Sequence, residues 1–483
     1  MQLAVVQRIL GLLLALFSTA MLPPVIVSLF YRDGAGAEFL IAFGLILGIG
    51  LLCWLPVRNY RQELRLRDGF VVVVMFWVVL SLSGALPLFL TAEPRLSFTD
   101  AVFESVSGLT TTGATVITGL DNLPKSVLFY RQELQWLGGM GIVVLAVAIL
   151  PMLGIGGMQL YRAEIPGPMK TTKLTPRIAE TAKALWLIYL GLTIACATAY
   201  WIAGMTLFDA VGHSFSTIAI GGFSTHDASM GYFNSPLIEM IAVFFMLLAG
   251  VNFSLHFLAW RHRTVGHYWQ DEEFRTYLSV LAGVAALTSS YLWITHSFDN
   301  PLLALQHGIF HAVSIGTTTG FTSSDYYSWP GFLPILLLMT SYIGGCAAST
   351  AGGMKVIRIL LLYKQGVREI KRLIHPSAIM PIKIGSKSLP DRIVEGVGGF
   401  MAVYVACFIV MYLLLLATGL DMITSFSAVT ACLNNLGPGL GQVGAHYEVI
   451  NAASKWVLCF AMLLGRLEIF TLLVILSPTF WRR

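Results

Sequence analysis

Residues Ser314 to Ser324 read SIGTTTGFTSS, a polar interruption between an apolar run ending near Val313 and another beginning near Pro330. Threonines around a glycine disfavour a continued helix: the β-branched side chains crowd the preceding turn, and glycine frees the backbone. They favour a sharp, extended backbone with oxygen atoms to offer. Alone, the stretch is an ordinary loop.

Its meaning comes from recurrence. Phe98 to Ala114 reads FTDAVFESVSGLTTTGA, Leu207 to Thr225 reads LFDAVGHSFSTIAIGGFST, and Ile423 to Gly439 reads ITSFSAVTACLNNLGPG. With Leu303 to Ser324, each couples a short half-apolar segment to a glycine-centred turn. The registered glycines are Gly113, Gly222, Gly320 and Gly437, spaced by 109, 98 and 117 residues. A landmark repeated at near-constant spacing outranks any single motif. Plausible helix N-caps stand at Thr99 with Asp100 and at Asp209, which suits a helix crossing half a membrane.

The rest of the chain supplies the membrane. Of 483 residues 56% are hydrophobic and only 11% charged, against about 25% charged in a soluble domain. Mean hydropathy is +0.76. Ten apolar runs approach the roughly 20 residues needed to cross a bilayer. They are Ile9–Phe30, Phe39–Leu55, Gly69–Leu90, Ser126–Leu150, Lys183–Gly204, Pro236–Trp260, Phe274–Thr295, Pro330–Leu361, Ile393–Thr418 and Lys455–Leu476. The first could pass for a signal peptide, but the spans behind it make it more simply a transmembrane helix. With both termini cytoplasmic, the inner links, chain ends and span starts hold 23 of the 30 basic residues, as the positive-inside rule requires.

The expected architecture is an all-α polytopic membrane protein with ten transmembrane helices. Residues 1–68 form two N-terminal helices. Four pseudo-symmetric units follow, each helix, pore helix, filter loop, helix, around a central pore: 69–182 with a cytoplasmic link, 183–273, 274–390 with a mid-membrane loop and a second link, and 391–483. Backbone that leaves helical geometry inside hydrocarbon must line a wet cavity or be buried in protein. Four like turns around one axis meet that condition together. Their carbonyls then stack as oxygen rings able to replace a cation's hydration shell, with the partly negative helix C-termini favouring a cation.

Residue types narrow the ion. Thr110, Thr111 and Thr112 in the first turn, and Thr317, Thr318 and Thr319 in the third, offer hydroxyl and carbonyl oxygens. The second has Ala219, Ile220 and Gly221, and the fourth Asn434, Asn435 and Leu436. Side chains are not shared, so carbonyls must carry the site. The turns themselves contain no carboxylate, which points to a dehydrated monovalent ion. Asp121, Asp227 and Asp325 follow the turns and would concentrate cations at the mouth.

A gate is expected beneath the third filter. Gly344, Gly345, Cys346, Ala347, Ala348, Ser349, Thr350, Ala351, Gly352 and Gly353 pack small residues into ten consecutive positions, followed at once by Lys355. That composition suits either a broken helix or a tight helix-packing face, and it is read here as a broken helix. Counted from the filter glycines, Arg466 falls opposite Gly139, Gly250 and Gly345. An intramembrane arginine is expensive and normally functional. It could repel a cation, pair with an acidic residue such as Glu468, or touch the loop near Ala348.

Glu104, His213, His307 and His311 lie on or near the short helices and read as structural or vestibule residues, with proton coupling left open. Six cysteines lack ligand spacing and read as small buried hydrophobes. No HExxH, serine elbow or paired-carboxylate site supports an enzyme. With no GxGxxG or GKT motif in the chain, ligand control must come from a separate cytoplasmic subunit.

Six motifs carry a family resemblance over the whole chain: YRDGAG (Tyr31–Gly36), FESVSGLTTTGA (Phe103–Ala114), SFSTIAIGGFST (Ser214–Thr225), IGTTTGFTS (Ile315–Ser323), LNNLGPGLG (Leu433–Gly441) and LLGRLEIFT (Leu463–Thr471). Together they resemble the TrkH potassium-uptake membrane subunits, of the superfamily that includes TrkG, KtrB and the fungal and plant HKT-type transporters. Two extra N-terminal helices favour TrkH over KtrB. The resemblance implies potassium (K+) permeation across a bacterial inner membrane, no organic cofactor in this chain, a homodimer, and a cytosolic TrkA-like ring binding ATP, ADP or NAD. It implies no nucleic-acid partner. Carried over, the potassium ligands are carbonyls of Thr111, Thr112, Ile220, Gly221, Thr318, Thr319, Asn435 and Leu436, with Gly344–Gly353 and Arg466 as the gate. Pro438 where Phe321 stands, and the missing fourth-turn threonines, lower the expected four-fold regularity. The rival reading is a secondary symporter coupling potassium to protons or sodium.

Overall fold

The computed structural model describes residues 2–60, 62, 65–144, 178–385 and 387–482. The link 151–182 expected after the first repeat, and the end of the span Ser126–Leu150, therefore lie largely outside the described residues. Within them the chain is overwhelmingly helical, and the only strands are a two-residue antiparallel pair, Lys383–Ile384 with Lys387–Ser388.

Six helical stretches are long and apolar enough to cross a membrane by themselves: Leu3–Tyr31, Gly36–Val57, Arg67–Leu90, Lys183–Ile202, Glu272–Ile294 and Asp391–Ala417. Two further spans, expected as single helices over Pro236–Trp260 and Lys455–Leu476, are each two helices. Pro236–Ala249 meets Phe253–His262 at 91°, and Ala452–Arg466 meets Phe470–Leu476 at 115°. In the first, the Asn252 side chain accepts from the Ser254 N–H at 2.8 Å and so starts a new helix. In the second, Glu468 and Ile469 both take positive φ, 52° and 59°, which no helix continues through. Pro330–Leu361 is broken too: Leu333–Thr340 stops, and helix resumes only at Val356–Ile374. Three of the four spans that follow a glycine turn thus break partway along. The fourth, Lys125–Val144, runs to the edge of the described residues.

Four short helices precede the glycine turns: Phe98–Leu109, Leu207–Ala219, Pro301–Gly316 and Met422–Leu433. Each is started by a side-chain cap, which accepts a backbone N–H two or three residues on. The caps are Ser97 (3.2 Å), Thr206 (3.1 Å), Asn300 (2.9 Å) and Asp421 (3.0 Å). The first two helices begin earlier than their sequence suggests. Asp100 and Asp209 are not caps but third-position residues, whose carboxylates accept from the Ser97 and Thr206 hydroxyls. A carboxylate there also complements the positive end of the helix.

Apolar packing holds these units edge to edge. The two N-terminal helices share one core with the first and fourth short helices, whereas the second and third short helices centre separate cores. Lys455 donates to Asp100 at 2.6 Å, tying the last unit back to the first.

Candidate ion-permeation site

Each short helix ends in the same way. The N–H of the residue before the registered glycine reaches back five positions: Thr112 to the Ser107 carbonyl (2.8 Å), Gly221 to Ser216 (2.8 Å), Thr319 to Ser314 (2.7 Å), and Leu436 to Ala431 (2.8 Å). This closure normally puts glycine in the left-handed position. Here that position holds Thr111, Ile220, Thr318 and Asn435, with φ of 54°, 55°, 70° and 53°. For β-branched residues such a conformation costs about 1–3 kcal/mol and persists only where the surroundings impose it. The glycines themselves, two positions later, take φ of 82°, 77°, 82° and 97°.

Each glycine abuts the neighbouring turn. A Cβ placed on Gly113 would lie 2.1 Å from the Gly221 carbonyl oxygen, and one on Gly222 would lie 2.1 Å from that of Thr319. A Cβ on Gly320 would meet the Leu436 oxygen at 2.1 Å, and one on Gly437 the Thr112 oxygen at 2.7 Å. The contacts run first onto second, second onto third, third onto fourth and fourth onto first. The four turns form a closed ring, with four of the eight expected ligand carbonyls, those of Thr112, Gly221, Thr319 and Leu436, set against the adjacent glycine.

The threonine hydroxyls serve the ring sideways. Thr110 bonds Thr112 at 2.7 Å and Thr317 bonds Thr319 at 2.8 Å. The Asn435 amide donates to the Thr112 hydroxyl at 3.0 Å and to the Met462 carbonyl at 2.9 Å. Thr111, Thr318, Ile220 and Asn435 are all buried. One carbonyl has a side-chain donor of its own: Gln135 donates to the Gly221 oxygen at 2.5 Å, while its own oxygen accepts the Phe223 N–H at 3.0 Å.

The residue nine before each glycine anchors the strand that leaves the turn. Glu104 accepts from the Thr115 hydroxyl (2.9 Å) and the Val116 N–H (3.0 Å). His213 bonds the Ser224 hydroxyl at 2.9 Å, and His311 lies 3.2 Å from the Ser324 carbonyl. Alanine occupies the fourth such position, Ala428, where Tyr447 and Tyr326 do the corresponding work by donating to the Gly437 (2.7 Å) and Gly439 (3.0 Å) carbonyls. Arg131, which reads in sequence as a span-end charge, is in fact buried between the first two turns. It pairs with Glu104 at 2.7 Å, donates to the Ser224 carbonyl at 3.2 Å, and lies over the Phe223 ring. Gln132, Glu133 and Gln135 are not singled out by the sequence reading, although four polar residues within five positions of an apolar span, Arg131 among them, are themselves a signal.

Above the ring lies a cavity of about 270 Å³ lined by all four glycines, by residues that succeed them in the chain, and by Asp227 and Asp325. His226 stands at its wall, stacked on Tyr232 with ring centres 3.4 Å apart. It bonds Asp121 through Nδ1 and approaches Asp209 at 3.5 Å through Nε2. Burial alone would lower the pKa of this imidazole, but the two carboxylates outweigh it and hold the pKa above its ordinary value.

The glycine-rich segment closes the opposite side. Gly344, Ala348 and Gly353 take positive φ, and the segment is an irregular loop rather than a helix-packing face. The Gly352 N–H donates to the Thr318 hydroxyl (2.7 Å), the Gly353 N–H to the Asn434 carbonyl (3.0 Å), and the Thr350 hydroxyl to the Ile218 carbonyl (2.9 Å). All three acceptors precede the glycines, whereas the cavity touches the glycines and their C-terminal neighbours. Loop and cavity thus flank the ring. Gly345, Cys346, Ala347, Ser349 and Ala351 complete the loop: the Cys346 N–H donates to the Gly250 carbonyl (2.9 Å), and the Ala348 carbonyl accepts from Phe253 (3.1 Å). Both contacts fall at the break in the neighbouring span. Lys355 turns back to donate to the Ala351 carbonyl.

Arg466 reaches the loop at Thr350, two residues past the point expected, donating to its carbonyl at 3.3 Å. Its other arm donates to the Gly138 carbonyl at 2.6 Å, and the guanidinium faces the Trp77 ring. Glu468, weighed as its partner, pairs with Arg358. All six cysteines are free, and among the described residues no group of three or more His, Cys, Asp or Glu could hold a metal.

The sequence profile of the TrkH family, described as "Cation transport protein", matches residues 35–483. The chain is 60% identical over 484 residues to the "Trk system potassium uptake protein TrkH" of Vibrio parahaemolyticus, covering the whole of both chains. It is 58% identical over 483 residues to the protein of that name from Halomonas elongata, again end to end. The "Crystal Structure of the Potassium Transporter TrkH from Vibrio parahaemolyticus" superposes with a TM-score of 0.92 at 57% identity and full coverage of both chains.

Proposed function

We propose, because this chain belongs to the TrkH family of cation transport proteins, that it is the membrane subunit of a potassium uptake system and passes potassium through the ring of four turns. The observation that carries the reading is the cyclic contact of Gly113, Gly222, Gly320 and Gly437, each with the carbonyl before the next glycine. Carbonyl oxygens held at fixed separation replace a hydration shell without reorganising, which is what selective passage of a dehydrated cation requires. On this reading the ligands are the carbonyls of Thr111, Thr112, Ile220, Gly221, Thr318, Thr319, Asn435 and Leu436. The chain crosses the inner membrane ten times in four repeats behind two extra helices, with both termini cytoplasmic. The loop Gly344–Gly353, pinned by Arg466, is the gate.

Two protomers, each with its own pore, and a cytosolic nucleotide-binding ring complete the assembly. Deleting residues 364–390 should weaken co-purification of that ring, and undiminished co-purification places its docking surface elsewhere. The function itself is tested in planar bilayers holding the purified protein. With potassium facing sodium, the current should reverse near the potassium equilibrium potential and ignore an imposed pH gradient. A reversal potential that tracks the pH gradient would establish proton-coupled symport.

A further inference from the structure

The helix Glu272–Ile294 begins with two adjacent glutamates that are engaged in opposite directions. Glu273 is buried, 5% exposed. Its Oε1 accepts the Ala347 N–H at 2.7 Å and the Ile357 N–H at 3.1 Å. These two donors lie inside and just beyond the glycine-rich loop, so a single carboxylate oxygen clasps both arms of it. With the carboxylate gone, the buried Ile357 N–H and the half-buried Ala347 N–H would lose their acceptor.

Glu272 faces the other way. Its carboxylate pairs with Lys364 at 2.5 Å and accepts the Gly385 N–H at 2.9 Å. Gly385 is the turn of the small hairpin Lys383–Ser388, and Lys364 also donates to the Lys383 carbonyl at 2.7 Å. The hairpin and the helix bearing Lys364 belong to the link 358–392. One helix start thus holds the loop under the ring with one side chain and the link with the next. Because the two residues are neighbours on one rigid helix, neither contact can shift far without moving the other.

We infer that Glu273 is the positioning residue of the gate loop, and that the Glu272–Glu273 pair mechanically couples the 383–388 hairpin to that loop. Displacing the hairpin pulls on Glu272, and the helix start carries Glu273 off Ala347 and Ile357, freeing the loop from beneath the ring. The inference rests on the reading of Gly344–Gly353 as a gate.

The test uses the full chain in potassium-loaded vesicles, with basal potassium flux and the potassium-over-sodium reversal potential as readouts. Glu273→Ala should raise basal flux several-fold while leaving the reversal potential unchanged. Glu273→Gln, whose amide oxygen can still accept both N–H groups, should return flux toward the parent. Glu272→Lys should raise flux, and adding Lys364→Glu, which restores the pair with its signs exchanged, should reverse most of the rise. A merely structural glutamate would instead lower the amount of folded protein and its melting temperature without raising flux per molecule. A shortened 344–353 loop is measured alongside. If the shortened loop raises flux and neither glutamate variant does, the coupling is refuted and the gate stands. If the shortened loop leaves flux unchanged, the gate reading falls and the coupling with it. If Glu273→Ala fails to fold, the Glu272 and Lys364 exchange decides alone.

Discussion

Gly437 faces the carbonyl oxygen of Thr112: a Cβ added to it would stand 2.7 Å away. The two residues are 325 positions apart in a 483-residue chain, and their contact joins the last turn to the first. Without it the other three contacts would make an open arc, and carbonyls in an open arc do not surround an ion. Closure also explains why no turn needs the residues of any other. Backbone atoms carry it, so Thr112, Gly221, Thr319 and Leu436 each contribute a carbonyl whatever their side chains.

The gaps at the four glycines predict a graded series. At Gly113, Gly222 and Gly320 an added Cβ would meet a carbonyl at 2.1 Å, a distance real carbon atoms do not tolerate. Gly320→Ala should therefore lose potassium-over-sodium selectivity, and Gly320→Val should abolish selective uptake with membrane insertion intact. Gly437→Ala, with its wider gap, should be milder than either. Reversal potentials measured across the series provide the check, and unchanged selectivity in Gly320→Ala would rule out close packing as the cause.

Arg466 bridges the Thr350 carbonyl on the Gly344–Gly353 loop and the Gly138 carbonyl on the helix Lys125–Val144. Truncation to alanine removes both donors and frees the loop, so basal potassium flux in vesicles should rise. Lysine keeps the charge but lacks the forked donors, and Arg466→Lys should fall between parent and alanine. Equal flux in all three proteins would leave Arg466 with a packing role.

Arg131 and Glu104 form a buried pair that fixes the strands leaving the first two turns. Removing one partner of such a pair leaves an uncompensated charge and costs about 3–5 kcal/mol. Arg131→Leu should lower the melting temperature in detergent markedly and should weaken selectivity along with it. Glu104→Gln, whose single amide oxygen can still accept from Thr115 and Val116, leaves the buried Arg131 charge uncompensated and should cost a comparable amount.

His226 should make stability around the cavity above the ring depend on pH. Its folded pKa stands above the ordinary imidazole value because Asp209 and Asp121 face it. The stabilisation is complete below the unfolded pKa of about 6.5 and is lost as pH rises through the higher folded value. Melting temperatures taken from about pH 6 to about pH 9 should therefore fall more steeply for the parent than for His226→Gln. Parallel slopes would mean that the pairing contributes nothing to folding.

Much of this architecture is legible in the sequence, because membrane spans and repeated turns are local signals. A short helix precedes each of the four glycines, all of which take positive φ, and residues 344–353 leave helical geometry. The breaks in Pro236–Trp260 and Lys455–Leu476 are not legible. Polar residues do interrupt both, Asn252 at the first and Arg466 and Glu468 at the second, but the bends are stabilised by distant partners: the loop at Gly250 and Phe253, and Arg358 at Glu468. Arg131 misleads for a similar reason. Its charge suggests a span end, while its partners Glu104 and Ser224 lie 27 and 93 residues away. The first two helix caps stand two or three residues before the expected positions, since hydroxyl caps at Ser97 and Thr206 compete locally with the carboxylates behind them.

The four-turn ring is tested most directly by anomalous scattering from crystals of this protein grown with rubidium or thallium in place of potassium. Peaks are expected on the axis of the ring, level with the carbonyls of Thr112, Gly221, Thr319 and Leu436. A ring without an on-axis peak, with the ion bound instead at side-chain carboxylates of the outer cavity, would contradict passage through the ring.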